Sequence, residues 1–212
     1  MRANIYYCGA GFGDAIRLAA VIRGQIERAE TVVFTEMNPE FGWRVMDNIR
    51  FIDTIVPVRE GLWREFPPEA VRPLQEVAPY GAPLVLKESD LRVRHADVTL
   101  PRRFVAVQPH TDLYRERTFA FREFDLPVVL VGSESDRCVP WHGAIDLRGV
   151  LPPEEAMWVV ATAEETHGVD SWCVTLGGCL GKPGTMETSR ELDKIYGDDW
   201  RAAWPSLTIV PV

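Results

Sequence analysis

Two glycine-containing junctions carry the residues best suited to chemistry in this sequence. In the first, Gly9-Ala10-Gly11-Phe12-Gly13-Asp14 follows an apolar run, and a glycine turn that leads into a helix lets a ligand approach free backbone N–H groups. The third glycine comes one residue too early for the dinucleotide fingerprint G-x-G-x-x-G, which argues against a nucleotide-dependent oxidoreductase. The same residues also fit a tight turn with Asp14 as the helix N-cap. Both interpretations stay open on the residues alone.

The second junction is Gly168-Val169-Asp170-Ser171, at the end of the strand predicted near residues 166–169. Ser171 as a helix N-cap would leave the first N–H groups of that helix to bind a phosphate. The small residues Gly177-Gly178-Cys179 allow the helix to pack closely on a sheet, and Gly181 suits the position just after the helix end. A capped and well-packed helix explains these residues without any ligand, so this junction also has two interpretations.

Composition excludes several classes of function. The chain has 212 residues and a net charge of −8, which argues against an extended nucleic-acid surface. Four cysteines without a C-x-x-C pair and four scattered histidines predict free thiols, three of them in buried surroundings, and no metal site. No apolar run is long enough to span a membrane, and the first residues lack the pattern of a signal peptide. These features predict a cytoplasmic protein.

The elements that would position the junctions alternate between strands and helices. Strand, helix, strand, helix, strand at this spacing is typical of a Rossmann-like half, and the apolar runs suit a buried parallel sheet. We therefore expect an α/β protein of two Rossmann-like halves, residues 1–98 and 99–212, with a ligand cleft between them and a polar linker at 87–101. The predicted strands are 4–8, 31–35, 53–58, 84–86, 104–107, 127–132, 144–147, 166–169 and 207–210, and the predicted helices start at 14, 41, 67, 152, 171 and 188.

The order of these pieces resembles the heptosyltransferase-like glycosyltransferases, which are glycosyltransferase family nine and have the GT-B fold. In that family a Gly-Asp pair opens the first helix, as Gly13-Asp14 does here, and a Leu-x-Gly segment resembles Leu147-Arg148-Gly149. The family hallmark is Asp-Ser/Thr-Gly-x-x-His, then small residues, then Leu-Gly-x-Pro. Asp170-Ser171 and Leu180-Gly181-Lys182-Pro183 match it. The chain would be an unusually short member.

The resemblance implies a transferase that moves a sugar from a nucleotide-sugar to an acceptor hydroxyl, with inversion and without a metal or other cofactor. The first half would bind the acceptor and the second half the donor, and Asp14 would be the general base. The acceptor stays open between a lipid-linked sugar, a protein, a small molecule and a nucleic-acid base. The donor's phosphates would contact Gly13, Arg115, Arg117, Asp170, Ser171, Trp172 and Thr175, and its ribose would contact Glu134 and Asp136.

Interpretations that need no ligand stay open for several of these residues. Arg115 and Arg117 also fit solvated loop charges, and Glu134 and Asp136 also fit a polar turn. Tryptophan and threonine stand at positions 172 and 175, where the family has glycine and histidine. These two departures favour the alternative of a catalytically silent nucleotide- or sugar-binding protein on the same fold.

Overall fold

The computed structural model of the chain describes residues 3–8, 11–24, 30–36, 42–58, 65, 83–111, 117–188 and 200–212. Within these stretches no helix is both long and apolar enough to cross a membrane. The predicted helix that starts at residue 67 lies outside the described residues, and so does most of the helix predicted from residue 188.

The first part of the chain forms a three-stranded parallel sheet with two helices. Its elements are β1 (Ala3–Cys8), α1 (Phe12–Gly24), β2 (Glu30–Glu36), α2 (Gly42–Asp47) and β3 (Thr54–Val58). The strand order is β1-β2-β3, and both ladders are parallel. Tyr6, Cys8 and Val33 are buried, as expected for strands of a sheet that is covered by packing elements. The first predicted Rossmann-like half thus has its expected element order.

The second part forms a six-stranded sheet in the order β11-β10-β9-β4-β7-β8, in which all ladders are parallel. A short antiparallel pair, β5 with β6, lies beside it. The structure confirms parallel sheets in both parts, and with them the predicted α/β fold class. The elements are β4 (Val105–Gln108), β5 (His110–Thr111), β6 (Arg117–Thr118), β7 (Val128–Leu130), β8 (Ile145–Asp146), α3 (Pro153–Thr162), β9 (Glu165–Val169), α4 (Trp172–Cys179), β10 (Gly184–Thr188) and β11 (Leu207–Pro211).

One continuous apolar core joins the two sheets. Helix α1 packs directly against α4, and the core that they share includes Ile16 and Leu18 from α1 and Cys173 and Leu176 from α4. All four residues are buried. Because α1 follows β1 and α4 follows β9, this packing brings the two predicted junctions to the same side of the interface between the halves.

A smaller core covers the other face of the second sheet. Val105 and Val107 alternate with Ala106 along β4, so they point to the face opposite α4. Aromatic side chains from the connecting segments cover this face, with Phe119 and Trp141 at a ring-centroid distance of 6.3 Å. His167 of β9 also points to this face, and its ring lies 6.5 Å from that of Phe119.

The segment predicted as a polar linker is packed between the halves. Asp90 is buried, accepts a hydrogen bond from Arg23 of α1 at 3.0 Å, and belongs to a short 3-10 turn. The His95 ring is in tilted contact with the ring of Trp158 of α3, with centroids 4.1 Å apart. Polar residues make these contacts, which is why composition alone suggested a linker. The boundary between residues 98 and 99 stays a prediction.

Two further predictions about elements need correction, and one strand was missed. Residues 84–86 are not a strand, because the N–H groups of Leu84 and Leu86 donate to the carbonyls of Ala203 and Cys179 outside any sheet. Thr188 ends strand β10 instead of opening a helix, and β10 itself was not predicted. Strand β10 begins with Gly184 shortly after the end of α4, so its sequence pattern is weak. Its hydrogen bonds to β9 on one side and β11 on the other stabilise it.

Candidate functional site

The second sheet reverses its strand order between β4 and β9, and the candidate site lies at their carboxyl ends. From β4 the chain proceeds to β7 and β8 on one side, then returns to β9, β10 and β11 on the other. Open α/β sheets bind ligands at such a switch point. The pairing of Gln108 with Gly168 puts Gln108 beside the segment that leads to Asp170 and Ser171.

Gln108 was not predicted as a site residue, and its side chain connects three segments at this edge. Its Oε1 accepts a short hydrogen bond from the Ser171 hydroxyl, and its Nε2 donates to Oδ2 of Asp136 at 3.2 Å. The Asp136 carboxylate fixes the amide orientation, because it accepts hydrogen bonds and donates none. The sequence signal that could have found Gln108 is an amide directly after a run of buried apolar residues.

Helix α4 begins at this edge, with Ser171 at its N-cap position. Ser171 has extended backbone, φ −153° and ψ −173°, but its side chain makes no capping hydrogen bond and binds Gln108 instead. The predicted capping role of the hydroxyl is therefore wrong. The first N–H groups of an α-helix have no carbonyl partner within that helix, and the helix dipole makes this end positive. Of the residues that carry those groups, Trp172 is partly exposed, whereas Cys173 and Val174 are buried.

The small residues of α4 fix the helix close to the sheet, as the sequence predicted. A Cβ on Gly177 would collide with the side chain of Thr166 in β9, and one on Gly178 would lie 2.6 Å from the Trp204 ring. Gly181 has φ +74°, and the N–H groups of Gly181 and Lys182 donate to the carbonyls of Gly178 and Gly177, respectively. This is the pattern of a Schellman helix end.

The start of α1 meets the start of α4. A Cβ on Gly13 would lie 3.7 Å from the backbone nitrogen of Trp172, so the two first turns are in near contact. The rings of Phe12 and Trp172 are in tilted contact, with centroids 4.7 Å apart. Because both glycine junctions follow strand ends, the sequence predicts that residues 9–14 and 170–176 line one cleft. In the structure, residues 11–14 and 170–172 are adjacent.

Asp14 lies in the first turn of α1 and is not its N-cap. The helix begins at Phe12, and the carbonyl of Gly11 accepts the N–H of Ala15 at 3.0 Å, so Asp14 is the third helical residue. Its side chain is 40% exposed, and its Oδ1 accepts a hydrogen bond from Arg17 at 3.1 Å. Its Oδ2 lies where a Cβ on Gly11 would be only 2.7 Å away, so this carboxylate position requires glycine at position 11.

Arg17 joins the two junctions, and sequence reasoning missed it. Its guanidinium is 5% exposed and donates to Asp14 and, at 2.9 Å, to Oδ1 of Asp170. Asp170 is buried, and its N–H donates to the carbonyl of Glu187 at the end of β10. A single arginine among the apolar residues of α1, one turn after Asp14, was the available signal.

Two predicted donor contacts look different in the structure. The Thr175 side chain is fully buried in α4, and its hydroxyl donates to the carbonyl of Ser171 at 2.8 Å. The Thr175 side chain is therefore buried and hydrogen-bonded to its own helix, while the predicted contact of the backbone at this position with the donor's phosphates stays a prediction. Trp172 is half-buried on Phe12, and its backbone N–H belongs to the first turn of α4.

The two acidic residues predicted to bind ribose differ from each other. Asp136 is 1% exposed, accepts the Ser133 N–H at 2.9 Å, and burial raises the pKa of its carboxyl. A ribose contact through Asp136 would need this carboxylate to leave Gln108 and Ser133. Glu134 is exposed at the start of a 3-10 turn over residues 135–138. Its role toward ribose stays a prediction.

The two predicted arginine contacts remain predictions. Arg115 lies outside the described residues, and Arg117 is the first residue of β6, opposite Thr111. In the part of the chain that the structure describes, no three His, Cys, Asp or Glu residues form a group that could hold a metal ion.

Comparisons with solved structures identify the fold. An E. coli ADP-heptose LPS heptosyltransferase II superposes with a TM-score of 0.60 and 11% identity over 99% of this chain and 90% of that one. A family 9 glycosyltransferase from Veillonella parvula superposes with a TM-score of 0.62 and 10% identity, over 99% of this chain and 87% of that one. The dodecameric iron-containing heptosyltransferase TibC, in complex with ADP-D-beta-D-heptose, superposes with a TM-score of 0.56 and 12% identity, over 97% of this chain and 62% of that one. No protein-family model matches the sequence, and no curated protein matches it. The chain has the GT-B-like α/β fold of these glycosyltransferases, which confirms the resemblance to glycosyltransferase family nine at the level of the fold.

Proposed function

We propose that this protein is a glycosyltransferase that moves a sugar from a nucleotide-sugar to an acceptor hydroxyl. The observation that carries the proposal is the contact between the starts of α1 and α4. It puts the partly exposed carboxylate of Asp14 next to the positive end of α4, at the switch point of the second sheet. A base and an anion site side by side are what transfer from a diphosphate requires.

In this reaction, the start of α1 supplies the base and the start of α4 binds the leaving group. The acceptor oxygen forms a bond to the anomeric carbon, while the bond from that carbon to the phosphate oxygen breaks. The electron pair of the broken bond leaves with the nucleoside diphosphate, whose charge the first N–H groups of α4 stabilise. The acceptor proton passes to Asp14. Attack opposite the leaving group inverts the anomeric configuration.

The first donor to test is ADP-heptose, because TibC is described as a complex with ADP-D-beta-D-heptose and the E. coli neighbour as an ADP-heptose heptosyltransferase. The acceptor is a hydroxyl of a lipid-linked sugar, a protein, a small molecule or a nucleic-acid base; the net charge of −8 disfavours a long nucleic-acid surface. We further propose that no metal or other cofactor takes part, and that the protein works in the cytoplasm, where its free thiols stay reduced.

A second candidate function is nucleotide-sugar binding without catalysis. Two observations favour it: the Trp172 ring lies in tilted contact with Phe12 at the start of α4, and the Ser171 hydroxyl already donates to Gln108. A silent binding protein would bind the same donors and release no diphosphate. The two functions are therefore separated by turnover and not by affinity.

The test has a binding arm and a turnover arm. Melting temperature is measured with ADP-heptose and with UDP-, GDP- and CDP-glucose; a donor at 100 times its Kd stabilises by about 2.7 kcal/mol, or roughly 5–10 °C for a chain of this size. Release of nucleoside diphosphate from the best donor then reports transfer to water, with and without EDTA. Binding with release that EDTA leaves unchanged supports the proposal. Binding without release supports the silent alternative.

A further inference from the structure

Arg17 is a buried cation within a run of buried apolar residues in α1, a helix that also carries Asp14 in its first turn and Arg23 in its last. The neighbouring residues of α1 from Ala15 to Ile22 are buried, and the Arg17 side chain is only 5% exposed. A buried charge needs ionic and hydrogen-bonding partners, because the loss of hydration is not repaid otherwise. Arg17 has them from two directions: Asp14 is 3 residues away in sequence, and Asp170 is 153 residues away.

The Arg17 guanidinium donates one hydrogen bond to each half of the protein. Nη1 binds Oδ1 of Asp14 in its own helix at 3.1 Å, and Nη2 binds Oδ1 of Asp170 at 2.9 Å. Its Cζ lies 5.4 Å from the ring centroid of Trp204, which fits a cation–π contact. The planar fork of arginine suits two acceptors at fixed positions, whereas the ammonium of lysine is a point charge.

We propose that Arg17 is a positioning residue for glycosyl transfer. It binds one oxygen of the Asp14 carboxylate and anchors it to Asp170, at the start of the donor-side helix. Oδ2 of Asp14 is then the oxygen that takes the acceptor proton, and its direction is fixed by the bond at Oδ1. The inference rests on the proposed function and adds to it the device that holds the base against the donor.

A purely structural role for Arg17 makes different predictions. If the arginine only neutralised Asp170, any replacement that keeps the fold would leave the turnover rate unchanged. A positioning role acts on kcat and leaves KM nearly constant, because the donor contacts the start of α4 and not Arg17. It also acts through Asp14, so its effect disappears when Asp14 can no longer accept a proton.

The test measures diphosphate release from the donor selected by melting temperature, with Arg17→Lys beside Arg23→Lys as a matched control. Arg23 lies on the same helix, pairs with Asp90 at 3.0 Å and faces the Phe51 ring at 5.9 Å, outside the proposed site. At equal folded fraction, Arg17→Lys lowers kcat by at least about tenfold with KM within about twofold. Arg23→Lys stays within about twofold of wild type in both. Arg17→Lys adds no further loss to Asp14→Asn.

Three outcomes overturn the inference. One is a wild-type kcat in folded Arg17→Lys, and another is an undiminished loss when that change is added to Asp14→Asn. If Arg17→Lys does not fold, the double variant Arg17→Gln with Asp170→Asn is used, because it removes both buried charges together. The third outcome is a kcat of this double variant equal to the kcat of Asp170→Asn alone. A wild-type protein that binds the donor but releases no diphosphate refutes the proposed function itself, and the inference falls with it.

Discussion

Replacing Arg17 with methionine removes the cation that lies between Asp14 and Asp170 while keeping most of its aliphatic volume. Asp170 is 1% exposed on its side chain, so in the variant a buried carboxylate loses its cationic partner. Breaking a buried pair in this way costs about 3–5 kcal/mol, whereas the 40% exposed Asp14 stays hydrated and adds at most about 1 kcal/mol. For a chain of this size the melting temperature falls by roughly 6–20 °C.

The assay is urea unfolding followed by tryptophan fluorescence, with thermal unfolding as a second probe. Arg23→Met is the control, since Arg23 is 34% exposed and water partly solvates its pair with the buried Asp90, so we expect a smaller loss of stability than for Arg17→Met. Adding Asp170→Asn to Arg17→Met removes the unpaired charge and recovers most of the lost stability. An Arg17→Met variant that loses less than about 1 kcal/mol, or no more than Arg23→Met, refutes the reasoning that the buried pair links the halves.

Three further predictions address the donor site, the packing of α4 and the pH dependence. Ser171→Asp puts a carboxylate at the anion site, so Kd for the donor, measured by calorimetry, rises at least about tenfold; an unchanged Kd contradicts a phosphate site there. Gly178→Ala puts a Cβ 2.6 Å from the Trp204 ring and lowers the free energy of unfolding by about 1–3 kcal/mol, where no loss in urea unfolding would show that the helix can shift freely. Burial lowers the pKa of His167 below its usual 6.5 more than Glu165 raises it, so its contribution to stability is complete above pH 6.5 and is lost as the pH falls toward the folded pKa. Unfolding measured between pH 5 and 8 is therefore less pH-dependent in His167→Phe than in wild type, and equal slopes would exclude this histidine as the source.

The two junctions were predictable because their signals are local. Gly177 is needed where α4 packs on Thr166 of β9, and Gly181 is needed for its positive φ, so each is visible in the sequence. Both junctions follow the carboxyl ends of strands, where open α/β sheets bind ligands. Their positions therefore predicted that they line one cleft, and the structure brings residues 11–14 and 170–172 together. The element order followed from apolar periodicity.

The pairings between distant residues were not predictable, because they depend on packing across the halves. Arg17 is one of many arginines in the sequence, and only the contact of α1 with α4 gives it Asp170 as a partner. Asp136 followed a glycine-ended strand as a ribose-binding acid would, yet it points inward to Gln108. Thr175 occupied a family motif position, but its place on the buried face of α4 directs its hydroxyl to the Ser171 carbonyl.

The most direct test of the central claim is diphosphate release by Asp14→Asn. Asparagine keeps the size of the side chain and can still accept a hydrogen bond from Arg17, so the fold stays within about 1 kcal/mol of wild type. Calorimetry gives the affinity for the donor that wild type turns over, and single-turnover release gives the chemical rate. We predict a Kd within about twofold of wild type and a rate lower by about 10²–10⁴. A folded Asp14→Asn protein that binds the donor and releases diphosphate at the wild-type rate would contradict the account.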